Sequence, residues 1–232
     1  MRIFRRVIDG ASFLIGKIKR NQRIDLPAGQ AIKVNMGCGL AVTTGWINID
    51  GSLNTLVAVL PRFLHRLAYR LSGANRYYSE AEYLRLIREH RFVYHDLAYG
   101  LPLAEGTVDF LYSSHFVEHL YRKDAEHLLG ECHRVLKTGA TLRISVPDLE
   151  YAISLYKMGE KDKMLSAYFF VDDDDSHYAR HKYMYDYDML SSLLRLAGFQ
   201  NIRRCDYRQG QTPDIDILDN RPDESLFVEA VK

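Results

Sequence analysis

Three ionisable side chains within five residues, His115, Glu118 and His119, are the strongest candidates for acid–base chemistry. Imidazole and carboxylate groups exchange protons readily in proteins, so they suit a reaction whose acceptor must lose a proton. His115 and His119 are four residues apart and would share one face of a helix. We predict His115 to be the general base or a substrate contact. Glu118 and His119 are catalytic candidates too, with a ligand-side or structural role as the alternative.

A Gly-Cys-Gly turn at 37–39 is the second place where the sequence predicts a site. It follows a short run at 34–36 that is typical of a buried strand. Glycines lack a Cβ atom, so a ligand can press against the backbone there. The next predicted strand, 46–49, delivers Asp50 to its carboxyl end, where ligands of open α/β sheets bind. A carboxylate in that place can accept hydrogen bonds from a ribose diol.

The spacing around this turn argues against a nicotinamide dinucleotide. The dinucleotide fingerprint has a third glycine three residues after the second, and an acid about twenty residues later. Val42 occupies the place of the third glycine, and Asp50 follows Gly39 by only eleven residues. The helix after the turn can therefore be little more than one turn long. The pattern suits a ligand that has no phosphate to cradle.

Residues 32–147 resemble the class I S-adenosylmethionine-dependent methyltransferases. The resemblance rests on GCG at 37–39, GWINID at 45–50 and SSHxxEHL at 113–120, a pattern of a bacterial subgroup associated with glycan and cell-envelope biosynthesis. It implies S-adenosylmethionine as the cofactor. It also implies cofactor contacts from Asn35, Gly37, Cys38, Gly39, Asp50, Asp96, Leu97 and Ser113.

The fold that the resemblance implies is a Rossmann-like, doubly wound α/β sheet. Its seven strands would have the order 3-2-1-4-5-7-6, with the last strand antiparallel and a helical insertion after strand 2. The apolar pattern predicts helices at 122–136 and 187–197, and strands at 34–36, 46–49, 92–97, 108–112, 141–146, 199–205 and 225–231. We divide the chain into residues 1–30, an amphipathic helix and linker, and a single domain, 31–232, with insertions at 52–91 and 150–186.

Two helical segments outside the predicted sheet carry apolar and basic residues. Residues 1–20 form an apolar stripe flanked by arginine and lysine, which predicts either peripheral membrane contact or a helix covering its own domain. In the insertion, Ser79 and Glu82 fit a capping box, and Pro61 starts or kinks a helix. The insertion is predicted to be a packed helical pair, with a lid, a homodimer surface or a membrane-facing element as alternatives.

A divalent metal ion such as Mg²⁺ is a further candidate. His115, His119 and His181 (or His177), with Asp148 at the end of the fifth strand, could supply its ligands. Tyrosines before the last predicted helix could stack on sugar faces or pack as core: Tyr178, Tyr183, Tyr185 and Tyr187.

The bulk composition narrows the class of protein. The chain of 232 residues has 31 basic and 30 acidic residues, a net charge of +1, so nucleic acid is not an expected partner. Three separated cysteines indicate reduced thiols and a cytoplasmic location, with peripheral contact at the inner membrane face as an addition. No run of about 18 apolar residues is present.

These observations predict a methyltransferase that acts on a sugar hydroxyl of a glycan or polysaccharide precursor. Methyl transfer from a sulfonium is an in-line displacement that depends on alignment, and a hydroxyl acceptor adds the need for a base or a metal. A methyltransferase for a lipid, a quinone or another small molecule is the first alternative. A non-catalytic S-adenosylmethionine-binding interaction protein is the second.

Overall fold

The computed structural model describes residues 15–72, 74–170 and 180–232, which form a seven-stranded α/β sheet. The strand order is β3-β2-β1-β4-β5-β7-β6. Strand β7 pairs antiparallel with both β5 and β6, whereas the pairs among β1 to β5 are parallel. The predicted order is therefore confirmed. The strands are β1 (Lys33–Met36), β2 (Ile47–Asp50), β3 (Arg91–Tyr94), β4 (Val108–Ser114), β5 (Leu136–Pro147), β6 (Gln200–Cys205) and β7 (Ser225–Val231).

The core is built around strands that are buried on both faces. Val34, Leu111 and Leu142 lie side by side in β1, β4 and β5 and are fully buried. Such continuous apolar strands are typical of sheets with helices on both sides. The helices that cover the core are α4 (Arg122–Val135), which buries Leu128 and Cys132 among others, and α7 (Tyr187–Leu196). Asp186 caps α7 by accepting a hydrogen bond from the Met189 N–H.

Several element bounds differ from the predicted ones. Strand β3 stops at Tyr94 because Asp96 caps a 3₁₀ helix, Leu97–Tyr99, through the Ala98 N–H at 3.0 Å. Strand β5 begins at Leu136, directly after α4 and five residues before the predicted start at 141, and its register against β4 shifts between Val108 and Phe110. The single helical turn expected after the glycines is also wrong, because residues 38–46 form turns and loop.

The insertion after β2 is a helical unit, as predicted. It contains α1 (Leu53–Ala58), α2 (His65–Ser72) and α3 (Glu80–Glu89), with 3₁₀ helices at Arg62–Leu64 and Ala74–Arg76. Ser79 caps α3 by accepting a hydrogen bond from the Glu82 N–H. Tyr83 and Ile87 of α3 form a small buried cluster with Cys38 and Leu40, which belong to the loop after β1. The insertion therefore packs against the loop that contains the glycine turn.

Three short helices follow β5 and lead to the edge of the site: α5 (Leu149–Lys157), α6 (Lys161–Met164) and a π-helix, Leu165–Phe169. A last helix, α8 (Ile215–Leu218), precedes β7. His177 and Tyr178 lie outside the described residues, as does most of the predicted N-terminal helix. Of that helix the structure describes residues 15–19 as helical, with Gly16 packed close to Asp96.

No helix among the described residues has the length and apolar character needed to cross a membrane.

Candidate active site

The glycine turn lies at the point where the strand order reverses, between β1 and its neighbours β2 and β4. The Gly39 N–H donates to Asp50 Oδ2 at 2.8 Å, and the Ser52 N–H donates to the other carboxylate oxygen. Asp50 thus ties the turn after β1 to the start of α1. It is 9% exposed, so it reaches the surface of the site while holding the backbone.

The two glycines of the turn are required for different reasons. Both have a positive φ, +63° at Gly37 and +50° at Gly39, a conformation that favours glycine. A Cβ atom at Gly37 would lie 2.1 Å from the ring of Phe116, whereas a Cβ atom at Gly39 would meet nothing within 4 Å. Phe116 therefore packs directly on the turn at Gly37. The space in front of Gly39 is open for a ligand.

Asn35 and Cys38, both predicted cofactor contacts, support this turn from inside. The Asn35 side-chain amide donates to the Ala41 carbonyl at 2.8 Å and also contacts Asn48 Oδ1. Burial, and then the nearby charge of Asp50, raise the pKa of the Cys38 thiol well above its usual value. Cys38 is therefore an inert buried thiol in this structure.

The other predicted cofactor residues lie on the same edge of the sheet. Asp96 follows β3 and is partly exposed, while the side chain of Leu97 is in the main core. Ser113 pairs with Met36 next to the glycine turn, and its buried hydroxyl has no hydrogen-bond partner among the described residues. An unpartnered buried hydroxyl at a strand end is a polar group available to a ligand.

Glu118 is the centre of the acid–base cluster predicted after β4. Its carboxylate is fully buried, and neither oxygen receives a hydrogen bond from the described part of the chain. His115 Nδ1 lies 3.5 Å and His119 Nε2 3.9 Å from Glu118 Oε1. Both imidazole rings thus face the same atom, Glu118 Oε1. The predicted shared helical face is not the reason, because His115 has φ +49° and only Val117–His119 are helical, in a 3₁₀ turn.

The ring of His115 is held by a hydrogen bond from its Nε2 atom to Ser225. The Ser225 hydroxyl donates to the Arg221 carbonyl at 2.7 Å, so it must accept the hydrogen bond that it shares with His115 Nε2 at 2.8 Å. The Nε2 atom therefore carries the proton. The basic Nδ1 atom faces Glu118, with Arg221 Nη1 at 3.4 Å.

His181 joins the cluster from the segment after the π-helix. Glu118, His119 and His181 each offer one ligand atom within 4.8 Å of the other two. The rings of His119 and His181 have centroids 5.1 Å apart. Burial lowers the pKa of His181 below its usual value, although Glu118 opposes the shift. His181 is therefore neutral at neutral pH.

Asp148 is not part of this cluster, contrary to the predicted metal-ligand set. Its carboxylate caps α5 through the Glu150 N–H at 2.9 Å and pairs with Arg204 at 2.7 Å. Both oxygens are thus used, one in capping α5 after β5 and the other in an ion pair with Arg204 of β6. His115 also lies beside the three clustered residues and not among them.

Some residues of the site could not be predicted from the sequence pattern. Phe116 contacts Gly37, and Ser225, 110 positions later, orients His115. The first contact depends on the tertiary arrangement of β1 and β4 and the second on that of β4 and β7, so no local spacing indicates them. Tyr168, whose carbonyl accepts from His181 Nδ1 at 2.7 Å, belongs to the same group.

A cleft of about 290 Å³ lies near this edge, between the start of α4 and α7. The rings of Tyr183 and Tyr185 line it with centroids 5.1 Å apart, and Arg122 donates to the Tyr183 hydroxyl at 3.0 Å. The Tyr185 hydroxyl is buried without a hydrogen-bond partner among the described residues.

Comparisons with known proteins agree with this geometry. Residues 34–144 match the sequence profile of a family described as a methyltransferase domain. A solved S-adenosylmethionine-dependent methyltransferase from Thermotoga maritima, a possible histamine N-methyltransferase, has a TM-score of 0.52 and 18% identity, over 99% of this chain and 98% of its own. No match was found among curated protein sequences.

Two further solved structures have the same fold. A possible exported protein from Bordetella parapertussis has a TM-score of 0.51 and 17% identity, over 93% of this chain and 64% of its own. The S-adenosylmethionine-dependent methyltransferase SibL in its apo form also has a TM-score of 0.51 and 17% identity, over 99% of this chain and 57% of its own. At these identities the likeness concerns the fold alone. Residues 34–144 therefore match a methyltransferase-domain profile, and the described chain has the Rossmann-like fold of these solved structures.

Proposed function

We propose that this chain transfers a methyl group from S-adenosylmethionine to a hydroxyl group of a sugar or glycan precursor. The observation that carries the proposal is the buried Glu118 carboxylate facing His115 and His119, against the glycine turn. Phe116, which lies between His115 and Glu118 in the sequence, contacts Gly37. The acid–base groups and the predicted cofactor turn therefore share one edge of the sheet.

The residues at the turn fit the cofactor. Gly39 leaves open space in front of a backbone that a side chain would fill, and Ser113 offers an unpartnered buried hydroxyl. Asp50 uses one lone pair of each oxygen on a backbone N–H, which leaves the others for a ribose diol. Asp96 and the backbone of Leu97 are proposed to contact the base.

The chain's own contribution to the reaction would be alignment and proton removal. When bound, S-adenosylmethionine supplies an electrophilic methyl group on a sulfonium. An acceptor hydroxyl that attacks it must lose its proton, and His115 Nδ1 is held as a base by the hydrogen bond from Nε2 to Ser225. Glu118 Oε1, at 3.5 Å, would stabilise the imidazolium that forms. His119 is partly exposed and faces the same carboxylate from the other side.

The sugar acceptor is supported by the resemblance to glycan-associated methyltransferases and by the aromatic cleft beside Glu118. The backbone N–H groups of Lys182 and Tyr183 donate to the Glu118 carbonyl, so the tyrosines of the cleft are fixed next to the cluster. Paired tyrosine rings offer apolar faces and hydroxyl groups, which suits sugar rings.

The test uses S-adenosylmethionine labelled on its methyl group, with a panel of nucleotide-activated sugars and an envelope-sugar extract as acceptors. We expect label in a methyl ether, and a loss of turnover of about 10²-fold or more in His115→Ala with nearly unchanged cofactor affinity. His90→Ala is the control, because His90 ends α3 and bonds only to the Leu86 carbonyl. Cofactor binding without label in any acceptor would favour a non-catalytic binding protein.

A lipid or lipid-linked acceptor is the second candidate, and the insertion favours it. Phe63 is 80% exposed and Leu67 is 55% exposed, beside Arg62, Arg66 and Arg70. An apolar surface with basic neighbours suits an anionic membrane. Under this proposal Phe63→Ser/Leu67→Ser would reduce sedimentation with phosphatidylglycerol vesicles, whereas Tyr77→Ser, on another exposed turn, would not.

A further inference from the structure

The carboxylate of Glu118 is buried and faces imidazole rings. It is 0% exposed, and neither oxygen receives a hydrogen bond from residues 15–72, 74–170 or 180–232. Burying a carboxylate without hydrogen-bond donors or a counter-charge is strongly unfavourable. A proton on the carboxyl group, a protonated imidazole or a bound metal ion would each remove this cost.

The imidazole rings of His119 and His181 each donate a hydrogen bond from Nδ1 to a backbone carbonyl. His119 Nδ1 lies 3.2 Å from the Arg180 carbonyl, and His181 Nδ1 lies 2.7 Å from the Tyr168 carbonyl. A carbonyl oxygen only accepts, so each Nδ1 carries the proton. In a neutral imidazole the Nε2 atom then has a free lone pair. Glu118, His119 and His181 each offer one ligand atom within 4.8 Å of the other two, and His119 Nε2 lies 3.9 Å from Glu118 Oε1.

The backbone holds this arrangement in place. The Glu118 carbonyl accepts from the N–H groups of Lys182 and Tyr183, which brings His181 against the 3₁₀ turn of Glu118. Tyr168 lies in the π-helix, a rare form that is frequent at functional sites. A second nitrogen that donates to a backbone carbonyl is also the usual arrangement of histidines that bind metal ions.

We propose that Glu118, His119 and His181 bind one divalent transition-metal ion of the zinc class. Two imidazole nitrogens with one carboxylate oxygen suit Zn²⁺, Co²⁺ or Fe²⁺, whereas Mg²⁺ prefers oxygen ligands alone. The predicted ion changes accordingly from Mg²⁺ to this class. Bonds of about 2.0–2.2 Å put the ligand atoms of a filled zinc site about 3.5 Å apart, so small side-chain rotations complete the site.

Three protein ligands leave open positions on the ion. The side chain of His119 is 22% exposed, which gives the ion and a further oxygen ligand a path to the site. A bound acceptor hydroxyl would have its pKa lowered there, which would meet the need for deprotonation. This role rests on the proposed function, whereas the binding of the ion does not.

The test measures metal binding by the full chain without cofactor or acceptor. After chelation and dialysis, Zn²⁺ is titrated by calorimetry and Co²⁺ by visible absorption. We expect one Zn²⁺ per chain, and Co²⁺ absorption of the intensity typical of four- or five-coordinate sites. Glu118→Gln and His181→Ala should each weaken Zn²⁺ binding by about tenfold or more, with folding checked by circular dichroism.

His90→Ala is the matched control and should bind Zn²⁺ as the unmodified chain does, because His90 lies on α3, outside the cluster. The Co²⁺ spectrum of the unmodified chain tests the site even if a variant does not fold. No stoichiometric Zn²⁺ binding, or equal binding by folded His181→Ala, would overturn the proposal and leave a proton shared between Glu118 and a histidine. Metal binding without methyl transfer would contradict the proposed function alone.

Discussion

Asp50 accepts a hydrogen bond from the backbone of the glycine turn and, in our proposal, also from a ribose. Removing its carboxylate should therefore weaken S-adenosylmethionine binding. We expect Asp50→Ala to cost about 1–3 kcal/mol of binding free energy by calorimetry, the scale of a lost hydrogen bond to a charged group. Unchanged affinity would exclude Asp50 from the cofactor site.

Asp186→Ala is the matched control for that measurement. Asp186 also accepts a hydrogen bond from a backbone N–H, that of Met189, but it does so at the start of α7. Its loss should lower the free energy of unfolding by about 0.5–2 kcal/mol, the usual cost of losing a helix cap. The cofactor affinity of this variant should not change, so stability and binding are separated.

The two glycines of the turn should differ in their tolerance of alanine. Gly39→Ala introduces only backbone strain, about 1–2 kcal/mol for a left-handed residue, because the space in front of it is open. Gly37→Ala adds a clash with Phe116, about 1–3 kcal/mol more. Urea unfolding measures both costs. Phe116→Gly removes both the ring and the Cβ atom, which would lie 2.5 Å from the new methyl group. In that background the penalty at Gly37 should fall toward that at Gly39, and equal penalties in both backgrounds would disprove the contact.

At the scale of elements, the C-terminal strands are joined by a buried ionic network. Arg143 of β5 pairs with Asp219 and, at 3.4 Å, with Glu229 of β7; the Arg143 and Asp219 side chains are 0% exposed. Arg143 also donates to the carbonyls of Asp206 and Gln209. One guanidinium therefore fixes β5, β7 and the loop between β6 and α8.

Replacing Arg143 should leave the buried carboxylate of Asp219 without its cation, while Glu229 keeps its ion pair with Arg203. We expect Arg143→Met to lower the free energy of unfolding by about 3–5 kcal/mol, because breaking one side of a buried pair leaves an uncompensated charge. Arg204→Met is the control, since Arg204 is 50% exposed in its pair with Asp148, and should cost about 1 kcal/mol or less. Similar losses in urea unfolding would contradict the network's role.

The helices and strands were largely predictable because each carries its own pattern. The apolar period of α4 and α7, and the short apolar runs of the central strands, are local signals. The end of β3 at Tyr94 and the course of β5 through Gly139 were not predictable, because a cap at Asp96 and pairing with β4 decide them. In the site, the histidines were predictable from residue type. Their convergence on Glu118 depends on contacts between distant segments.

At the scale of the whole molecule, acid should weaken the folded state through Glu229. Burial alone would raise the pKa of Glu229, but the hydrogen bonds from Arg203 and from the N–H groups of Gln211 and Thr212 lower it below its ordinary value of 4.5. A lowered pKa in the folded state gives stability above pH 4.5 that is lost as the pH falls through the folded pKa.

The free energy of unfolding should therefore decrease as the pH falls from about 5 toward 3. Glu229→Gln should be less stable at pH 7 and should have a shallower pH dependence over that range, measured by urea unfolding. Glu160→Gln, whose exposed pair with Lys163 is on the surface, should keep the slope of the unmodified chain. A slope that is the same in Glu229→Gln would assign the acid sensitivity to other carboxylates.

The three free thiols differ in burial, so the rate at which each is alkylated reports which part of the molecule opens. Cys205 is partly exposed, Cys38 is buried beneath the glycine turn, and Cys132 is fully buried in the main core. An alkylating reagent should modify Cys205 at once, Cys38 when the turn separates from the insertion, and Cys132 only on global unfolding. A ligand seated on the turn would then slow the alkylation of Cys38 selectively.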